Sequence, residues 1–146
     1  ALDHVVGHGA VDGVGQIEYP AALPGVLAVA STELDDTRSD FSNYGADLDV
    51  SAPGRDIFSA SSTTAYYASS GTSMSAAHVS GLAALIWSVR PDYAALTVAQ
   101  TITLTGQDIG SIGWDTQSGW GLIDALAAVR HAQQGRIYLP VLWLNQ

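Results

Sequence analysis

Ser69-Ser-Gly-Thr-Ser-Met-Ser-Ala-Ala-His-Val-Ser-Gly-Leu-Ala-Ala-Leu-Ile86 is the stretch on which the reading of this chain turns. A run of serine, glycine and threonine leads straight into a helical pattern. Val79, Leu82, Ala83, Ile86 and Val89 recur at helical spacing, which predicts a helix over 72–89 stopped by Pro91. Ser75, Ala76, Ala77, Ser80, Gly81, Ala83 and Ala84 leave several of its faces without bulk. Gly81 inside a helix costs about 1 kcal/mol relative to alanine, a cost usually accepted where another backbone comes close. Ser73 stands at the junction. On local pattern it reads as an N-cap, accepting hydrogen bonds from the first free amides. The same position suits a nucleophile, because a helix N-terminus gathers amide donors and positive partial charge that stabilise an oxyanion.

Upstream, His4-Val5-Val6 reads as a short strand ended by Gly7, and 9–18 as a glycine-rich loop. Tyr19-Pro20 and Leu23-Pro24 punctuate a turn before Val26-Leu-Ala-Val-Ala30, a continuous apolar run typical of a parallel strand buried on both faces. Residues 48–52 and 56–60 read as short strands flanking the Pro53-Gly54 turn. Further helices are predicted over 96–104 and 122–132, before Gly135, and 133–146 reads as an appended strand or linker stub. Strands first and helices later predict an α/β fold, a parallel β-sheet with packed helices.

Composition narrows the classes. The 146 residues are 47% hydrophobic, suited to one compact domain or part of a larger one. Fourteen acids, twelve of them aspartate, face five arginines and no lysine, for a net charge of −9. That balance argues against nucleic acid and anionic membranes as partners, since both reward basic patches. No apolar run approaches a membrane span. With no cysteine, disulfides and zinc–thiolate sites are excluded. The single methionine is Met74 and no signal peptide is evident, so Ala1 reads as an internal residue of a longer precursor.

Gly71-Thr-Ser-Met-Ser-Ala-Ala-His-Val-Ser-Gly81 resembles the serine signature of the subtilisin-like serine proteases, the subtilases. Three more blocks resemble that family in order and near its spacing: 19–31 (YPAALPGVLAVAS), 41–54 (FSNYGADLDVSAPG) and 119–129 (GWGLIDALAAV). The resemblance implies the C-terminal half of a secreted endopeptidase domain of subtilisin-like fold, covering residues 1–132, with Ser73 as nucleophile, a protein or peptide substrate and no required cofactor. The family order is Asp, His, Ser. The Asp and His are therefore expected from a missing N-terminal half or a second chain, and the 146 residues alone are expected to be inactive. The competing reading is a pseudoprotease retaining the fold for binding or packing.

No local histidine completes the site on sequence. His78 lies five residues and about 7.5 Å along the helix from Ser73, rotated off its face, and the resemblance makes it structural. His131 reads as a solvated residue near a helix end, and His4 as a strand residue. By the same alignment His8 falls where the family's oxyanion-hole asparagine stands, and Gly7 at one wall of the pocket for the side chain preceding the cleaved bond. Two other readings of His8 stay open: a compressed Gly-His-Gly motif, or no functional role. Ala77 departs from the family, which usually has a proline there to shape the first turns of the helix. Asp47 and Asp49 alternate onto one face of a strand. With carbonyls near 21–26 they resemble a weak Ca²⁺ or Na⁺ site of some relatives, against the plainer reading of a solvated acidic strand end.

Overall fold

The computed structural model describes residues 4–6, 15–60 and 65–143. Three parallel strands, β1 (His4–Val6), β2 (Val26–Thr32) and β3 (Val50–Pro53), lie in that spatial order. His4 pairs with Val26, and Val29 with Val50. The β2 run is buried from Leu27 to Thr32, as a strand covered on both faces must be. On one face Leu27 and Val29 join Val50, Ala52 and the helices. On the other, Ala28 and Ala30 pack with Ile17, Ala21 and Leu48.

The free side of β3 is occupied. The segment after Gly119 runs beside it, with the Ser51 amide donating to the Gly121 carbonyl at 2.9 Å and the Ile123 amide to Ser51 at 3.0 Å. Gly121 is required there: its φ is +100°, and a Cβ would lie 2.8 Å from the Gln107 carbonyl carbon. β1 pairs only with β2 among the described residues.

The central helix α1 (Thr72–Val89) has the bounds the sequence predicts. Val79, Leu82, Ala83 and Ile86 are buried, and Val89 packs against the same core. Its C-terminus is fixed by Arg90, which is paired through two nitrogens with Asp92 at 2.9 and 2.7 Å and lies 4.0 Å from the Tyr93 ring centroid. Helices α2 (Ala95–Leu104) and α3 (Ala125–Trp143) pack against α1. Among the described residues no helix is long and apolar enough to cross a membrane.

Four expectations change. The strand predicted from Leu48 begins at Val50, because Leu48 closes a turn onto Gly45 and the Asp49 carboxylate accepts the Ala28 amide at 2.7 Å. The strand predicted over 56–60 is β4 (Ile57–Ala60). It pairs antiparallel with a strand absent from the sequence reading, β5 (Tyr66–Ser69), in a separate two-stranded sheet. The last helix starts at Ala125 rather than Leu122: Leu122 exchanges backbone bonds with Gln107, and the Asp124 carboxylate caps the Ala127 amide at 2.8 Å. It then continues to Trp143, so no appended strand occupies the segment after Gln133.

Candidate active site

Everything that places Ser73 converges on the junction between β3 and α1. Gly54, just past β3, donates its amide to the Thr32 carbonyl at 3.2 Å and accepts the Gly71 amide at 2.8 Å. One turn into the helix, the buried Ser75 hydroxyl donates to the Ala52 carbonyl at 2.9 Å. Gly54 has no room for a side chain: a Cβ would lie 2.8 Å from the Gly71 carbonyl and closer still to the Ser75 and Ser31 hydroxyls. The next residue but one, Asp56, receives a further tie, its amide donating to the Ser70 hydroxyl at 2.9 Å. The lead-in Ser70-Gly71 is therefore fastened on both sides before the helix begins.

Beside it, Arg55 is held by two carboxylates. It contacts Glu33 at 2.8–2.9 Å and also pairs with Asp40, and its guanidinium lies 4.6 Å from the Phe41 ring centroid. The Arg55 hydrogen bonds draw both carboxyls below their ordinary range, and the pair of carboxylates pushes Arg55 further up. This ion cluster, not legible from sequence spacing, braces the turn on which the serine junction rests.

The N-cap of α1 is Gly71, with no side-chain capping bond, so Ser73 is not the cap its local pattern suggests. Ser73 lies in the first turn, exposed. Among the described residues its hydroxyl has no hydrogen-bond partner and its amide no backbone acceptor. An uncommitted hydroxyl beside a free amide at a helix N-terminus can attack an electrophilic carbon while the amide and helix dipole stabilise negative charge.

The nearby histidine does not serve it. His78 is exposed and its Nδ1 lies 2.9 Å from the Met74 carbonyl, which ties the ring back along its own helix. His131 is exposed on α3. Gly7 and His8 lie outside the described residues. The strand before them, β1, runs parallel to β3, so its C-terminal end opens on the same edge of the sheet as Gly54. Ala77, at the departure from proline, is exposed on the Ser73 side of α1.

Ser73 stands in the lining of a groove of about 740 Å³. Ala77, Gly81 and Leu85 of α1 line it further along, and Ile57 and Tyr67 of the β4–β5 hairpin form a wall. The sequence reading supplies one strand of that hairpin, over 56–60; the sign of the other is the aromatic pair in Tyr66-Tyr67, too short a run to identify a strand.

Asp47 and Asp49 border a separate hollow of about 300 Å³ with residues 21–26 and Trp114. Burial pushes the Asp49 carboxyl up; the Ala28 amide opposes this and the Asp47 charge adds to it. Asp47 and Asp49 precede β3 instead of alternating along it, and among the described residues no cluster of three acidic or histidine side chains that could hold a metal is assembled.

The profile of the Subtilase family, peptidase S8, matches residues 7–121. Subtilisin Savinase from Lederbergia lenta is 36% identical over 118 residues, covering 81% of this chain and 43% of that protein. The alkaline elastase YaB of Bacillus sp. strain YaB is also 36% identical over 118 residues, which are 30% of its length. Among solved structures, the prenylagaramide maturation protease PagA superposes with a TM-score of 0.76 at 31% identity, over 88% of this chain and 50% of that one. A protease from Pseudoalteromonas arctica superposes with a TM-score of 0.71 at 34% identity, over 78% of this chain and 38% of its own. The chain thus spans less than half the length of the curated relatives it matches. With the serine junction, the parallel sheet and the sequence match agreeing, this chain belongs to the subtilase family.

Proposed function

We propose that Ser73 is the nucleophile of a secreted serine endopeptidase and that this chain supplies the serine half of its catalytic apparatus. The observation that carries the reading is the state of Ser73: exposed, with a hydroxyl and amide that have no partner among the described residues, on a junction fastened by Gly54, Ser70 and Ser75. In the reaction the Ser73 Oγ attacks the scissile carbonyl carbon while an imidazole accepts its proton. The tetrahedral oxyanion is met by the Ser73 amide and by a donor at the His8 position. The carbon–nitrogen bond then breaks, the imidazolium returns the proton to the leaving amine, and water hydrolyses the acyl-enzyme. Gly7 would line the pocket for the side chain preceding the cleaved bond. Losing one oxyanion donor costs about 10²–10³ in kcat, a magnitude established for subtilisin, so the identity of the His8 position bears directly on rate.

The imidazole and the Asp orienting it are proposed to come from subtilase sequence outside these 146 residues. His78 is turned onto Met74, which supports that assignment. The chain by itself should therefore not turn over a chromogenic peptide. Supplied with the Asp- and His-bearing part, it should react with a fluorophosphonate at Ser73, and Ser73→Ala should abolish the reaction. Absence of labelling in the assembled protein would favour the second reading, a pseudoprotease that keeps the fold for binding. Asp47 and Asp49 are proposed as a weak Ca²⁺ or Na⁺ site that contributes to stability and takes no part in the chemistry.

A further inference from the structure

Three hydroxyls are buried behind the nucleophile turn. Ser31, Ser39 and Ser75 are each fully excluded from solvent, yet they come from β2, from the loop after it and from α1. Alternation along β2 sets Ser31 on the same face as Leu27 and Val29, the face that α1 covers. A polar residue thus ends an apolar row. Its hydroxyl lies 2.9 Å from that of Ser39, its amide donates to the Ser42 hydroxyl at 3.0 Å, and its carbonyl accepts the Ser39 amide at 2.8 Å. Opposite, the Ser75 hydroxyl donates to the Ala52 carbonyl. The two atoms nearest to a Cβ built on Gly54 are the Ser75 and Ser31 oxygens. Gly54 is therefore seated between them, and its carbonyl accepts the Gly71 amide. On the outer side Ser39 adjoins the ion cluster, since Arg55 first, and the Ser39 hydroxyl after it, hold the Glu33 carboxyl below its ordinary range. One polar chain thus leads from Arg55 to the first turn of α1, two residues from Ser73.

Buried hydroxyls carry a desolvation cost that apolar groups do not, and a hydrogen-bonded network is rigid where an apolar contact can slide. Fixing a position is what such a network adds to a core. We propose that Ser31 is a positioning residue for Ser73. Bonded to Ser39 and facing Ser75 across Gly54, it sets how deeply the first turn of α1 sits on β2 and β3, and so the direction of the Ser73 hydroxyl and amide. Ser31 touches no reacting atom; it acts through Gly54 and Gly71. The effect on rate rests on the reading of Ser73 as nucleophile, whereas the brace itself rests on the hydrogen bonds alone.

The test compares Ser31→Ala with its parent in two measurements. In the protein assembled with the Asp- and His-bearing segment, Ser31→Ala should lower kcat on a chromogenic peptide by about tenfold or more, with KM unchanged, since a misplacement of about 1 Å can cost about a hundredfold. Ser75→Ala should slow the reaction in the same way. The double variant should be no slower than the slower single, because both residues act on Gly54. Thr101→Val removes a buried hydroxyl of α2, bonded to Thr97 at 2.8 Å, and should leave kcat of the folded protein unchanged. In the 146-residue chain alone, amide exchange reads the brace without chemistry. The Gly71 and Met74 amides, bonded to Gly54 and Gly71, should exchange about tenfold faster in Ser31→Ala, while those of Leu82 and Ile86 follow global stability only. A kcat per folded molecule equal to the parent's, additive losses in the double variant, or exchange that quickens evenly along α1 would overturn the positioning role. Local quickening in a protein whose parent shows no turnover would keep the brace and refute the nucleophile.

Discussion

Two aspartates show how differently this chain treats its acids. Asp115 lies in the 108–119 loop. Burial raises its carboxyl, but the Gln117, Ser118 and Ser111 amides and the Ser118 hydroxyl all donate to it and bring it below its ordinary 3.8. A depressed carboxyl binds its proton less readily in the folded state than in the unfolded one. The stability it confers is therefore full above pH 3.8 and is lost as the pH falls through the lower folded value. Asp115→Ala should cost about 1–3 kcal/mol in urea denaturation at pH 7, with the difference shrinking in strong acid. Asp49 has the opposite sign. Burial raises it, so the folded state holds the proton more tightly, and stability declines as the pH climbs from 3.8 through the raised value. A bound cation would reverse that pressure. Asp49→Asn should then raise the thermal midpoint in chelator yet abolish the increase that Ca²⁺ gives the parent. Insensitivity of the parent to Ca²⁺ and Na⁺ would remove the proposed cation site.

At the level of elements, the β3–α1 junction behaves as one unit. Gly54 touches β2 through Thr32 and the helix cap through Gly71, and its missing side chain lets Ser31 and Ser75 close in. Gly54→Ala should lower stability by about 1–3 kcal/mol, as overpacking does, and should disturb the lead-in to Ser73. Chemical denaturation followed by circular dichroism reads the first effect. A variant as stable as the parent would show the junction to be looser than its geometry. Much of this was legible in the sequence. The α1 bounds follow from apolar spacing closed by Pro91, and the buried β2 from an unbroken apolar run. Of the β4–β5 hairpin only β4 was, as the strand predicted over 56–60; β5 was not, because it is four residues with three exposed, and so has no alternating pattern to betray it. The end of α3 was missed for another reason. Gly135 and Pro140 are local breakers, but propensity is a weak prior beside the propagation of a helix already nucleated. The fastening of Ser70 by Asp56 and the Arg55 cluster join residues from distant segments, and spacing along the chain carries no trace of them.

For the molecule as a whole, the match covers only part of the relatives' length, and among the described residues α1 keeps an exposed row of small residues beginning at Ser73. Matched residues 7–121 include β2, β3, the serine junction and most of the groove's lining, and the Asp and His expected from family order are proposed to lie outside these 146 residues. The resemblance identified the family and the serine proposed as nucleophile, yet geometry was needed to show that His78 is turned away and that Gly81 meets no atom within 4 Å among the described residues. A groove bordered by Leu85, Ile57 and Tyr67 is a surface that apolar dyes recognise. The isolated chain should enhance the fluorescence of such a dye, and adding the Asp- and His-bearing segment should suppress the signal. An isolated chain silent toward the dye would mean that the face is covered from within.

The central claim is that Ser73 is a nucleophile awaiting its base. Mass-spectrometric mapping of a fluorophosphonate adduct tests it most directly, on the 146-residue chain alone and after assembly with the Asp- and His-bearing segment. The expected result is no adduct on the chain alone and a single adduct on Ser73 after assembly, lost in Ser73→Ala. A well-formed complex without the adduct, or an adduct that persists in Ser73→Ala, would contradict it.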